Sequence, residues 1–233
     1  IYINILKEVK VKNEQKLALF DYDGTIVDSA IMIVKGAIEA FRVCKIPDPD
    51  PKKVKENIGK PLAIALKEYM PKGYDVSPDK ISEAYRNWYA EQGRLGLQDE
   101  PLFPGMYDLL KQIKKTGFWQ LGIATNKSRI ALENGLKKHN LLDIFDITLT
   151  TDENKAKPDP DMAFSAMKKT NINNNSTFII GDTINDMGLG TNSKITPIGV
   201  AWGYNNVEML KAYGASEIVY SAEELYNSLQ LKI

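Results

Sequence analysis

The sequence predicts an α/β protein, a doubly wound, Rossmann-like parallel-sheet core interrupted by an all-helical insertion. Two observations point there. Short apolar runs alternate with helical patterns along most of the 233 residues, an order that folds into a parallel sheet covered on both faces. Between about 29 and 102 the alternation stops, because that interval holds helical periodicity and no convincing strand.

In chain order, the first residues alternate at Ile1, Ile3 and Ile5, which suggests an added edge strand. The run "KLALF" at 16–20 is the first core strand. In the insertion, Ile31, Val34, Ile38 and Phe41 step by 3, 4 and 3, while Leu62, Leu66 and Tyr69, and likewise Ile81, Tyr85 and Trp88, step by 4 and 3. "PDPDP" at 47–51 and "MPKGYDVSP" at 70–78 read as inter-helix turns. Tyr85, Trp88 and Tyr89 are assigned to the insertion's own core. Pro104 is placed like a first-turn proline of a helix whose Leu109, Leu110 and Ile113 lie opposite Lys111, Lys114 and Lys115. Strands are expected at 119–125, 146–150, 177–182, 195–202 and 217–220, with helical patterns between them. The division expected is a core of 1–28 and 103–233 with the insertion at 29–102.

Composition narrows the function. Thirty Lys and Arg balance thirty Asp and Glu, so no bulk field attracts nucleic acid or an anionic membrane. Cys44 is the single cysteine and forms no intramolecular disulfide, in keeping with a reducing compartment. No apolar run approaches a membrane span, and the opening "IYINILKEVK" lacks a basic segment followed by a long apolar one. A cytoplasmic location is expected.

The stretch "LALFDYDGTIVDS" at 17–29 runs an apolar strand into two carboxylates separated by one residue. Asp21 and Asp23 are thereby delivered to the carboxyl edge of the sheet, where open α/β folds place their ligands. Like charges so close need a cation or a proton between them, and all-oxygen ligation favours Mg2+. A plain surface turn is the competing reading of "DYDGT" taken alone. Asp28 or Ser29 caps the helix that begins near Ile31. Three further segments fall at strand ends or before helices: "IATNK" with Thr125 and Asn126, "KAKPDP" with Lys157, and "IIGDTINDM" with Asp182 and Asp186. All can reach one edge of the sheet.

In this order, Asp21-Tyr-Asp23-Gly-Thr, Thr125, Lys157 and Gly181-Asp182-Thr-Ile-Asn-Asp186 resemble the motifs of the haloacid dehalogenase-like hydrolase superfamily, over nearly the whole chain. "LFPGM", "IGVAWGY" and "GASEIVYSAEEL" resemble its phosphoglycolate phosphatase-like branch, whose mobile cap sits where the helical insertion lies. One departure is the helix after the acidic pair, Gly188-Leu-Gly190-Thr-Asn192-Ser193, where Asn192 is expected to take the left-handed terminal conformation.

The resemblance implies a Mg2+-dependent phosphatase for a small phosphorylated metabolite, with phosphoglycolate as a candidate and no nucleic-acid or membrane partner. By that resemblance Asp21 is the nucleophile that becomes an aspartyl-phosphate, and Asp23 is the general acid and base. Asp21, the Asp23 main-chain carbonyl and Asp182 hold Mg2+, with Asp186 reaching it through water or from behind. Thr125 and Asn126 bind the phosphoryl oxygens, and Lys157 balances their charge. Lys60, in "NIGKPLAIAL" at 57–66, meets a substrate carboxylate or is an exposed lysine at a helix start. Lys157 could equally be a solvated loop lysine, Asn126 a helix N-cap, and His139 a helix C-cap. A phosphomutase of the hexose-phosphate type and a non-catalytic phospho-receiver-like module are the alternatives.

Overall fold

The computed structural model describes residues 15–233. The alternation at Ile1, Ile3 and Ile5 lies outside them. Strand β1 (Lys16–Phe20) opens the chain, and four helices follow, α1 (Ala30–Val43), α2 (Pro51–Glu56), α3 (Leu62–Glu68) and α4 (Pro78–Arg94). Then come α5 (Met106–Thr116), β2 (Trp119–Ala124), α6 (Arg129–Lys138), β3 (Ile147–Leu149), α7 (Asp161–Thr170) and a 3-10 turn at Asn174–Ser176. β4 (Thr177–Gly181), α8 (Ile184–Ser193), β5 (Thr196–Val200), α9 (Val207–Ala212), β6 (Glu217–Val219) and α10 (Ala222–Gln230) complete it. The six strands form one parallel sheet in the order β3-β2-β1-β4-β5-β6. The fold is the α/β, Rossmann-like class expected.

β1 sits in the middle because its side chains are apolar on both faces. Ala18 and Phe20 pack with α5, α6 and α10, whereas Leu17 and Leu19 pack with α7 and α8. Leu17, Leu19 and Phe20 are fully buried, and each contributes on the order of 1.5–3 kcal/mol.

The insertion's helices surround a cluster of their own, built on Phe41, Leu66, Tyr69 and Ile81. Asp50 caps α2 and Ser77 caps α4, each just ahead of a first-turn proline. The stripe expected on α1 is rotated. Ile31 is 55% exposed, and the buried face carries Met32, Gly36, Ala37, Ala40 and Phe41. The small residues are there for closeness, since a Cβ on Gly36 would stand 2.8 Å from the Tyr85 ring of α4.

Two further expectations are corrected. α5 begins at Met106 with Gly105 as its left-handed N-cap, so Pro104 lies in the preceding turn. At the end of α8 the left-handed residue is Lys194, not Asn192. Asn192 is the penultimate helical residue, and its amide donates to the Pro158 carbonyl at 2.9 Å.

Both ends of the insertion meet at one point. Val27 bridges Leu102 in antiparallel fashion, the Asp28 N–H donates to the Pro101 carbonyl at 2.8 Å, and the Phe103 N–H donates to that of Ile26 at 3.0 Å. The N-cap of α1 is Ser29, which makes no side-chain cap bond, and the preceding Asp28 accepts from the Ala30 N–H at 3.2 Å. No helix among the described residues is long and apolar enough to cross a membrane.

Candidate active site

β1 and β4 are neighbours, and the chain's direction of travel across the sheet reverses between them. This is the position where open α/β sheets leave a crevice at the carboxyl ends of their strands. Asp21 follows β1, its N–H donating to the Ile180 carbonyl at 2.8 Å, and Asp182 follows β4. The two chains come together because Gly24 turns with φ +88°, and a Cβ there would overlap the Asp182 carboxylate. Asp182 is then fixed by the Thr25 hydroxyl at 3.0 Å and the Tyr204 N–H at 2.8 Å.

Asp186 lies in the first turn of α8, where the Thr183 N–H and hydroxyl donate to its Oδ2 at 2.9 and 2.7 Å. Its Oδ1 accepts from Lys157 Nζ at 2.6 Å, and the same ammonium lies 2.7 Å from Asp21 Oδ1. Lys157 is therefore no solvated loop lysine. It is 1% exposed, clamped between two carboxylates. Asn126 steers it: the Lys157 N–H donates to Asn126 Oδ1 at 2.8 Å, and Asn126 Nδ2 donates back to the Lys157 carbonyl at 3.2 Å.

Asp21, Asp182 and Asp186 are buried with carboxylate oxygens within 4.8 Å of one another. Three buried carboxyl groups share the single ammonium of Lys157, so acidic groups outnumber the basic one in the site. Burial, then the neighbouring Asp186, push the Asp21 carboxyl up to about 7, against the pull of Lys157. Burial, then Asp21 and Asp186, hold Asp182 well above the usual carboxylate range. Burial works against the charge of Lys157, but Asp186 and Asp21 outweigh it and raise its pKa. All-oxygen donors with this charge deficit suit a hard divalent cation.

Thr125 extends β2, its N–H donating to the Leu149 carbonyl at 3.1 Å, and its hydroxyl accepts from the Lys127 N–H at 3.2 Å. Asn126 does not cap α6, whose N-cap is Ser128. Its other side-chain donor bond goes to the Gly59 carbonyl at 2.9 Å, so the side-chain amide is occupied by main-chain partners. Asn185 Nδ2 donates to the same Gly59 carbonyl at 2.9 Å. Gly59, with φ +89°, thus brings the insertion's loop down over the sheet edge.

Beneath that loop is a cavity of about 230 Å³, reached by Asp21, Asp23 and Thr125 from the sheet and by Ile33, Tyr69 and Tyr85 from the insertion. Lys60 also lines it, with Nζ 3.7 Å from Glu68, so it is not a freely exposed helix-start lysine. Asp23 Oδ1 lies 2.9 Å from Lys127 Nζ, which lies equally close to Glu100 Oε1. His139 is the C-cap of α6, and its Nε2 stands 2.7 Å from the Glu100 carbonyl.

Lys127, Glu100, Thr25, Asn185 and Tyr204 are absent from the sequence-based set. Lys127 and Asn185 stand inside quoted motifs, one position from a named residue. Tyr204 ends the segment "IGVAWGY", whereas Glu100 carries no local signal, because its partner Lys127 is distant in sequence.

Comparison with known proteins agrees with this geometry. The family described as "Haloacid dehalogenase-like hydrolase" matches residues 18–200. "Probable phosphatase IndB" of Dickeya dadantii is 30% identical over 212 residues, covering 90% of this chain and 91% of that protein. "Phosphoglycolate phosphatase" of Vibrio vulnificus is 26% identical, covering 94% and 97%. The crystal structure of a predicted phosphatase from Clostridium acetobutylicum superposes with a TM-score of 0.82 at 28% identity, covering 94% of this chain and all of that one. With family motif, fold and relatives in agreement, the chain belongs to the haloacid dehalogenase-like hydrolases, as an enzyme whose relatives are named phosphatases.

Proposed function

We propose that the protein is a Mg2+-dependent phosphatase that hydrolyses a small phosphorylated metabolite through an aspartyl-phosphate on Asp21. The observation that carries this reading is the buried trio of Asp21, Asp182 and Asp186 with Lys157 clamped between two of them. Asp21 Oδ attacks phosphorus and the ester oxygen departs with a proton from Asp23. A water then attacks the phosphorus, Asp23 takes its proton, and phosphate leaves with Asp21 restored. Thr125 Oγ1 and the Asn126 N–H donate to the phosphoryl oxygens, and Lys157 offsets charge that would otherwise repel the incoming phosphate. Asp21, the Asp23 main-chain carbonyl and Asp182 would hold the cation, with Asp186 behind them. When bound, it supplies neutralisation of the equatorial oxygens.

Residues 29–102 act in this reading as a cap, with the Gly59 loop as the part that shuts the site. Exclusion of water by this loop favours transfer to Asp21. Phosphoglycolate is the first substrate to test, because Lys60 in the cavity wall offers its carboxylate a cation. The test is turnover of p-nitrophenyl phosphate and a panel of phosphorylated metabolites, with chelator and then with added Mg2+. Activity that survives chelation rules the reading out. Lys60→Ala should weaken phosphoglycolate hydrolysis while sparing p-nitrophenyl phosphate, which carries no carboxylate.

A further inference from the structure

We propose that Lys127 is a positioning residue for Asp23, holding its carboxylate where it exchanges protons with the leaving oxygen and the attacking water. The inference rests on the role given to Asp23 above.

Lys127 Nζ is held on every side. It makes hydrogen bonds of 2.9 Å to Asp23 Oδ1 and to Glu100 Oε1, and lies 4.6 Å over the Tyr89 ring and 5.6 Å from the Tyr22 ring centre. Its side chain is only 7% exposed. Glu100 cannot drift either, because the Tyr89 hydroxyl donates to its Oε1 and Gln98 Nε2 to its Oε2, both at 2.6 Å. Burial alone would raise the Glu100 carboxyl, but Lys127, Tyr89 and Gln98 outweigh it and hold it anionic. The ammonium is therefore anchored by a partner other than Asp23.

Asp23 is the exposed end of this chain of contacts. Its Oδ1 is tied to Lys127, its Oδ2 makes no hydrogen bond among the described residues, and the residue lines the cavity. One oxygen fixed and the other without a partner, on a residue that lines the cavity, suits a proton-transfer group, since the reacting oxygen must meet it within hydrogen-bond reach. Burying an ammonium and a carboxylate is costly unless both stay paired, so the pair is not an incidental surface contact.

A tie between the cap's exit segment and the core is the rival explanation, and leaving-group chemistry separates the two. An alkyl phosphate needs a proton on its departing oxygen, whereas 2,4-dinitrophenyl phosphate does not. The ratio kcat/KM reports the steps up to aspartyl-phosphate formation and so isolates that need. Lys127→Met alone strands Glu100 as a buried unpaired charge, so the working variant is Lys127→Met with Glu100→Gln, which removes the pair together. The expected result is a fall in kcat/KM of about 10–100-fold on the alkyl ester and less than about threefold on the dinitrophenyl ester. Added to Asp23→Asn, the double change should bring no further leaving-group-dependent loss.

Equal losses on both esters, through kcat or through KM, or no loss on either, overturn the proposal. If Asp23→Asn itself leaves the alkyl ester untouched, the role of Asp23 falls first. If Asp23→Asn is impaired on that ester and the Lys127 variant is not, only the positioning role falls.

Discussion

Asn126 and Lys157 bind each other twice, the Lys157 N–H to Asn126 Oδ1 at 2.8 Å and Asn126 Nδ2 to the Lys157 carbonyl at 3.2 Å. A side chain from the β2–α6 junction thus acts as a short strand for the loop that carries the buried ammonium. Asn126→Ala leaves partly buried main-chain groups without these partners, a change that costs about 1–3 kcal/mol. Urea denaturation should show that loss, and kcat should fall because Lys157 Nζ is no longer aimed between Asp21 and Asp186. An unaltered midpoint and kcat would show that the loop holds its shape unaided.

The two carboxylates of the first motif should separate cleanly on substitution. If the proposed reading holds, Asp21→Asn removes both the nucleophile and an anionic cation ligand, so activity should drop to background and Mg2+ should no longer raise the melting temperature. Asp23→Asn should keep the Mg2+-dependent thermal shift, because its expected ligand is a main-chain carbonyl, yet lose roughly 10²–10⁴-fold in turnover. A thermal shift lost in Asp23→Asn and kept in Asp21→Asn would reverse the two roles.

Two side-chain amides, from Asn126 and Asn185, hold the Gly59 carbonyl. Gly59→Ala places a Cβ 2.5 Å from Thr183 Cγ2 and forces a side chain onto a backbone of φ +89°. Asn185→Ala removes one of the two amides that hold Gly59. Both changes should expose the loop at 57–61 to limited proteolysis, the glycine change more strongly. Cleavage no faster than in the unaltered protein would mean that other contacts hold the loop down.

Acid should weaken a different tie. Glu153 accepts from Arg129 Nε and Nη2 at 3.0 and 2.9 Å, and this guanidinium, then Thr150, bring its carboxyl down to about 2. A folded value below the unfolded one gives stability that is present above the ordinary carboxylate pKa near 4.5 and lost as pH falls toward 2. The melting-temperature advantage over Glu153→Gln should therefore be largest near pH 6 and shrink steadily through pH 4 and 3. The pair is partly exposed, so the effect is small and should shrink further in high salt. An advantage independent of pH would assign it to packing.

What the sequence displays follows from what each residue answers to. β1 is legible because Leu17 to Phe20 must satisfy two apolar faces at once. The acidic residues are legible because each stands at or near a strand's end, so chain order maps directly onto one sheet edge. Periodicity misplaces the buried face of α1, since Gly36 and Ala37 are weakly apolar yet buried, Gly36 directly against Tyr85 of α4. The bond from the Asn126 side chain to the Gly59 carbonyl is not legible, because the two residues are far apart in sequence. Lys127 and Glu100 are invisible for a similar reason: their pairing joins residues brought together by the return of the insertion, and no local pattern records it.

That return has a consequence for the chain as a polymer. Val27 and Leu102 face each other across a bridge, a separation of about 4.5–5.5 Å between Cα atoms. To the core, everything between them is a loop whose ends already touch, and each doubling of such a loop costs only about 0.6 kcal/mol. The junction is therefore a grafting point. A helical module of another length, spliced between these two residues, meets a scaffold whose ends stay where they are, so the insertion can be exchanged while the sheet edge that carries Asp21, Asp182 and Asp186 keeps its form.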